Sequence, residues 1–170
     1  LAWFHDIELG GSHLTAPIAV DGGLYLWAGA GHVLALDATD GTLLWEHDSG
    51  AREKAGIKLR GAWGVRGIAH AQGKVFTGTL DGRLIALEAK TGKLLWSAQT
   101  TEPGDQRYVT GAPWVVKDKV LIGNGGGEYG VRGYVSAYDA ASGKLAPIRS
   151  TVSRMSSIGA MSVRPSEHSR

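Results

Sequence analysis

The chain carries one eleven-residue phrase three times at a fixed interval. Residues 35–45 read ALDATDGTLLW, residues 86–96 read ALEAKTGKLLW, and residues 137–147 read AYDAASGKLAP. The leading alanines, Ala35, Ala86 and Ala137, stand 51 residues apart both times. A repeat of that period made of short β segments is the signature of propeller blades, each of which has a face it cannot bury alone.

Each copy reads as strand, turn, strand. A short apolar run leads to Asp37, Glu88 or Asp139, then to a small polar stretch, then to Gly41, Gly92 or Gly143. Side-chain oxygens in such a stretch bond nearby N–H groups, and glycine takes positive φ. Upstream of each copy lies a further pair of apolar runs: residues 16–20 and 24–27, 67–70 and 75–79, 113–116 and 120–122. Four strands per unit make one antiparallel blade. The expected fold is therefore all-β: a partial β-propeller of about three four-stranded antiparallel blades, bounded near 1–50, 51–100 and 101–145. Trp45 and Trp96 close the first two copies. Rings at that fixed place are expected to wedge between neighbouring blades, with ordinary core filling as the plainer reading.

Propellers close with about four to eight blades, so three blades imply a piece of a longer protein. Leu1 opening a strand-like run agrees with that expectation. Residues 146–170 are expected to be a disordered or non-native tail. They hold seven serines and no aromatic residue, and Pro147 stands where the third tryptophan should be. Proline there lacks a ladder donor, and a change of reading frame near Leu145 would account for the break. The tail also carries four arginines against one glutamate, which leaves 14 basic and 15 acidic residues in the rest of the chain. That balance gives no nucleic-acid surface. The sequence contains no membrane-spanning stretch and no cysteine, so disulfides and thiolate metal sites are excluded. Six histidines show no pairing at metal-ligand spacing.

Three places could carry chemistry. The third unit replaces a tight hairpin with residues 123–133, GNGGGEYGVRG, six glycines in eleven residues. Such a loop permits close backbone approach to a flat group or an ion, and Glu128 is its one carboxylate. It follows a strand but opens no helix, so it is no dinucleotide fingerprint; the plain reading of Glu128 is a solvated side chain. Arg66 and Thr110 stand at corresponding blade starts and should project to one end of the propeller axis. A surface cation and a turn residue are equal readings of that pair.

In these residues the chain resembles the quinoprotein alcohol dehydrogenases, which use pyrroloquinoline quinone (PQQ). The likeness lies in the Ala-x-Asp-x-x-Thr-Gly-x-x-x-Trp repeats, in residues 17–22 and 73–87, in TGAP at 110–113, and most specifically in GGGEYGVRG at 125–133. It spans roughly residues 1–145. The repeats alone would equally suit a non-catalytic quinoprotein-like propeller that binds other proteins as a scaffold. The resemblance implies an eight-bladed periplasmic propeller with the quinone on its axis beside Ca²⁺ or a lanthanide. Glu128 matches a carboxylate ligand of the metal. Gly126 and Gly127, with Gly125 leading into them, match the backbone that approaches the quinone. Arg66 matches an arginine on a quinone carboxylate, and Thr110 a hydroxyl on the cofactor.

The sequence departs from the family in two places. Arg60 and Gly61 stand where many members carry a vicinal cysteine pair, and Leu14 stands where many carry a glutamate. The upper face of the pocket should differ accordingly, with Trp63 as a candidate stacking surface. The family's catalytic Asp, its Asn metal ligand and its tryptophan floor have no counterpart in this chain. The implied function is a fragment of an enzyme oxidising a small alcohol to a carbonyl, with an electron acceptor such as a cytochrome c. The chain alone is expected to be inactive.

Overall fold

The computed structural model describes residues 2–10, 13–56, 58 and 64–147. The tail expected over 146–170 lies almost wholly outside the described residues, as do Arg60, Gly61 and Trp63. Within them the chain forms a partial β-propeller of three antiparallel sheets.

The first sheet runs β1 (Ile18–Val20), β2 (Gly23–Ala28), β3 (His32–Asp37) and β4 (Leu43–Asp48) in sequential order. A short helix α1 (Ala51–Ala55) follows, which the sequence pattern does not announce. The second sheet repeats the order with β5 (Ala69–Ala71), β6 (Lys74–Gly78), β7 (Arg83–Glu88) and β8 (Leu94–Gln99). The third holds β9 (Trp114–Val116), β10 (Lys119–Gly123) and β11 (Val135–Asp139). The fourth strand expected here is a single bridge between Tyr138 and Leu145. Pro147 has no N–H to extend that ladder, which agrees with its place in the repeat.

Local chemistry sets these elements. Asp21 and Gly22, and again Gln72 and Gly73, take positive φ at both turn positions, the geometry that closes a two-residue hairpin. In the recurring phrase, Gly41, Gly92 and Gly143 have φ of 77°, 71° and 70°, and each donates its N–H to the carbonyl of Asp37, Glu88 or Asp139. The pairing then slips by one residue. Ala35 faces Trp45 while Leu36 faces Leu43, and Ala86 faces Trp96 while Leu87 faces Leu94. This bulge leaves both leucines of each pair exposed and turns the tryptophan inward.

The turned-in rings join the blades. Trp45 packs on Tyr25 of its own sheet at 6.0 Å between centroids and donates its indole N–H to Ala89 of the second sheet at 2.9 Å. Trp96 packs on Phe76 at 5.8 Å and donates to Ala140 of the third sheet at 3.2 Å. The wedge role expected of both is thus observed. Trp3 does the same for the first sheet, donating to Ala38 at 3.3 Å. Two apolar clusters fill the gaps, one between the first and second sheets around Trp27, Val33 and Ile85, the other between the second and third around Phe76, Val109 and Val120.

Candidate functional site

The blade starts are tied together by their backbones. Ala16 N–H donates to the Arg66 carbonyl at 2.9 Å, and Arg66 N–H donates to the Thr110 carbonyl at 2.8 Å. Three consecutive blades thus place Thr15–Ala16, Arg66 and Thr110 side by side along one rim. The Arg66 side chain is exposed, whereas Thr110 is buried. Gly67 fits closely at this seam, since a Cβ there would lie 3.0 Å from that of Ala112. Thr15 Oγ1 is buried and has no hydrogen-bond partner among the described residues. Leu14 beside it is exposed.

The glycine-rich loop reaches the same rim through Tyr108. Val109 fills a slot that exists because residue 78 is glycine; a Cβ there would sit 2.2 Å from its Cγ1. Tyr108 accepts the Gly125 N–H at 2.8 Å on its carbonyl, and its hydroxyl donates to Glu128 Oε1. Glu128 itself sits in a single 3-10 turn, Gly127–Tyr129, flanked by Gly126 and Gly130 in left-handed conformations. Asn124 closes the neck of the loop by accepting the Tyr134 N–H at 3.0 Å.

Electrostatics follow from these bonds. The Tyr108 hydroxyl, and secondarily backbone groups of its own turn, hold the Glu128 carboxyl below the usual glutamate range, so it is ionised at neutral pH. The same bond pushes the Tyr108 phenol up to about 12, with burial adding to it and the positive charge of Arg66 opposing it. Tyr108 is therefore a neutral donor at neutral pH.

The three glycines differ in what they do. Gly125 makes room for the Tyr108 ring, because a Cβ there would lie 2.8 Å from Cε2. Gly126 has a φ of 111°, and a Cβ would meet both the Gln106 carbonyl and Val131 Cγ2 at 2.8 Å. Both are thus explained by packing within the chain. Gly127 is exposed with nothing within 4 Å of its Cβ position. It is the one of the three whose bare backbone faces open space.

A loop-supporting network lies behind this rim. Lys58 is buried and donates to Thr101 Oγ1 at 2.9 Å and to the Glu102 carbonyl at 2.8 Å, with Asp105 at 3.9 Å. Burial pushes its ammonium down. Asp105 pairs with the Arg107 guanidinium, which donates to the Arg132 carbonyl at 3.1 Å and lies over the Tyr134 ring at 5.5 Å. The segment before Tyr108 and the glycine-rich loop are thereby held as one unit.

These residues suit a planar anionic group beside a hard cation. Glu128 offers an anionic oxygen, Gly127 an open backbone, Arg66 an exposed guanidinium, and Thr15 a hydroxyl unpaired among the described residues. One carboxylate does not make a complete cation site, and no cluster of three metal-ligating side chains occurs among the described residues. The remaining oxygens would have to come from elsewhere.

Comparison with known proteins agrees with the repeat architecture. The PQQ_2 profile, described as outer membrane protein assembly factor BamB, matches residues 2–166. The chain belongs to the PQQ_2 family. Its sequence is 52% identical over 149 residues to quinohemoprotein alcohol dehydrogenase ADH IIB of Pseudomonas putida, covering 86% of this chain and 21% of that protein. Its fold superimposes on quinohemoprotein alcohol dehydrogenase ADHIIG of Pseudomonas putida HK5 with a TM-score of 0.77 at 46% identity, over 86% of this chain and 22% of that one. A europium-containing methanol dehydrogenase matches with a TM-score of 0.69 at 42% identity, over 76% of this chain and 23% of that one. This PQQ_2 chain thus spans about a fifth of the length of the curated relative it matches.

Sequence reasoning singled out Arg66, Thr110 and Glu128 but passed over Tyr108 and Thr15. Tyr108 lies outside the repeated phrase, and only its position two residues before Thr110 could have drawn notice.

Proposed function

We propose that this chain supplies one side of the cofactor rim in a PQQ-dependent alcohol dehydrogenase, an eight-bladed enzyme oxidising a small alcohol to a carbonyl. The observation that carries the reading is the bond from the Tyr108 hydroxyl to the Glu128 carboxylate, two residues before Thr110, whose carbonyl accepts the Arg66 N–H. Identity of 52% to a quinohemoprotein alcohol dehydrogenase supports it.

In this reading Glu128 contributes one oxygen to Ca²⁺ or a lanthanide, a hard cation that takes oxygen donors. Arg66 pairs with a quinone carboxylate, Thr110 bonds the cofactor, and the backbone of Gly125, Gly126 and Gly127 forms the wall against it. When bound, the quinone takes up the electrons of the alcohol while the cation polarises its carbonyl. The chain's own part is to bind and orient. No described residue here is placed as a general base, and the isolated chain is inactive in this reading. In this reading residues 1–145 are the propeller portion. The complete protein works in the periplasm and passes electrons to an acceptor such as a cytochrome c.

The test is reconstitution of the complete protein with PQQ and CaCl₂, followed by dye-linked alcohol oxidation. Glu128→Ala should abolish both turnover and the quinone absorbance. A second reading, a protein-binding scaffold, draws on the assembly-factor description of the family. It would be favoured by unchanged partner binding and no quinone signal in either version.

A further inference from the structure

We propose that Tyr108 is a positioning residue that fixes Glu128 for cation binding, holding Oε1 through its phenol and leaving Oε2 free as the ligand oxygen. The inference rests on the reading of Glu128 as a cation ligand and assigns a role to a residue that lies outside every repeated motif.

The Tyr108 ring has little freedom. Its backbone carbonyl is bonded to Gly125, its ring passes beneath that glycine where any Cβ would clash, and the Tyr129 ring meets it edge-on at 6.4 Å. The next residue, Val109, is fully buried in the slot at Gly78. The preceding one, Arg107, is tied to Asp105 and to the far arm of the glycine-rich loop. The phenol is therefore a fixed point on a rigid segment. Glu128 is the opposite, an exposed side chain on a turn flanked by glycines. Left alone it would sample several rotamers, and binding a cation would have to immobilise it. The hydroxyl removes that freedom beforehand, in the way outer partners orient metal ligands generally.

The chemistry of the partner matters. A lysine or arginine at this place would orient the carboxylate but neutralise it. A neutral phenol orients it and leaves the full negative charge for the cation. It also engages one oxygen only, so the second remains available.

The experiment uses the complete protein, stripped of metal with EDTA, supplied with saturating quinone and titrated with CaCl₂ by calorimetry. Tyr108→Phe keeps the ring under Gly125 and removes only the hydroxyl. It should weaken Ca²⁺ binding about ten- to a hundredfold while the melting temperature of the metal-free protein stays unchanged. In a Glu128→Gln background, the same change should have no further effect on Ca²⁺ affinity. Unaltered Ca²⁺ affinity in Tyr108→Phe would overturn the proposal. So would an equal loss in the Glu128→Gln background together with a lower metal-free melting temperature, which would mark Tyr108 as packing alone. If Glu128→Gln itself binds Ca²⁺ normally, the ligand reading beneath the proposal falls as well. That outcome is distinct from the failure of Tyr108 alone.

Discussion

The indole N–H of Trp45 donates to the Ala89 carbonyl at 2.9 Å, and the same ring lies so close to Gly92 that a Cβ there would fall 2.5 Å from it. Sequence supplies both halves of this joint. The tryptophan ends one copy of the repeated phrase and the glycine turns the next. Trp96 and Gly143 repeat the arrangement, with a Cβ at 2.6 Å. Blade spacing is therefore set by a donor, an acceptor and an absent methyl group.

Gly92→Ala should destabilise the fold by about 2–4 kcal/mol, since it combines a positive φ with a clash against an aromatic ring. Gly73→Ala is the control. Its φ of 69° matches the 71° of Gly92, but nothing lies within 4 Å of its Cβ position. It should cost only the conformational part, about 1–2 kcal/mol. Urea unfolding of both variants separates backbone strain from blade docking. Equal losses would mean that the ring contact does not limit the joint.

Arg83 and Asp81 form a largely buried pair at 2.6 Å, and Arg83 also donates to the Ser49 carbonyl of the first blade at 2.8 Å. Arg83→Met leaves the Asp81 carboxylate buried without its cation and should cost about 3–5 kcal/mol. Adding Asp81→Leu should restore much of that loss, because the uncompensated charge is gone. Chemical denaturation of the two variants gives the comparison. No recovery in the double variant would point to the Ser49 contact as the principal contribution.

Lys58 gives a pH dependence. Burial places its folded pKa below the ordinary lysine value of 10.5, against the opposing pull of Asp105, Asp81 and Glu102, while Arg107 adds to the depression. Between the folded value and 10.5 the unfolded chain binds more protons than the native state, so this group makes stability rise with pH across that window. Below the window the cost of holding a buried ammonium is fully present. Raised tyrosines such as Tyr134 and Tyr138 act in the other sense. The clean readout is therefore the difference between the native protein and Lys58→Met. The advantage of the native lysine over methionine should grow from pH 8 to pH 10 in urea midpoints. A difference that stays flat would show that Lys58 titrates normally.

Much of this architecture could be read in the chain because it is written as local rules. Alternating apolar runs, Asp or Glu before a small polar stretch, and a glycine at the αL position of each repeated phrase fix strands and turns by short-range chemistry. The tryptophans were legible because their spacing recurs. Trp3 was not, since only Leu1 and Ala2 stand before it in this sequence, too few residues to show the phrase that marks the other two. Helix α1 is five residues long, too short for a periodic signal. At the candidate site, glycine content marked the loop but could not say which glycines serve packing. That answer depends on Gln106, Tyr108 and Val131, residues brought beside the loop only by folding. Tyr108 was invisible for the same reason, because its meaning is the carboxylate twenty residues away.

The contrast between Gly126 and Gly127 turns that distinction into a test of the cofactor wall. Gly126→Ala places a methyl group 2.8 Å from both the Gln106 carbonyl and Val131 Cγ2 at a φ of 111°. It should destabilise the protein by about 3 kcal/mol and disturb the loop whatever the loop binds. Gly127→Ala meets no neighbour and should change stability by less than about 0.5 kcal/mol. If the quinone lies against this backbone, the added methyl group occupies its space. Gly127→Ala should then weaken quinone binding about tenfold, as a loss of roughly 1.4 kcal/mol, read by absorbance titration of the complete protein with PQQ in CaCl₂. Full quinone affinity in a stable Gly127→Ala protein would remove Gly127 from the wall. It would leave Arg66, Thr110 and Glu128 as the residues still to be tested.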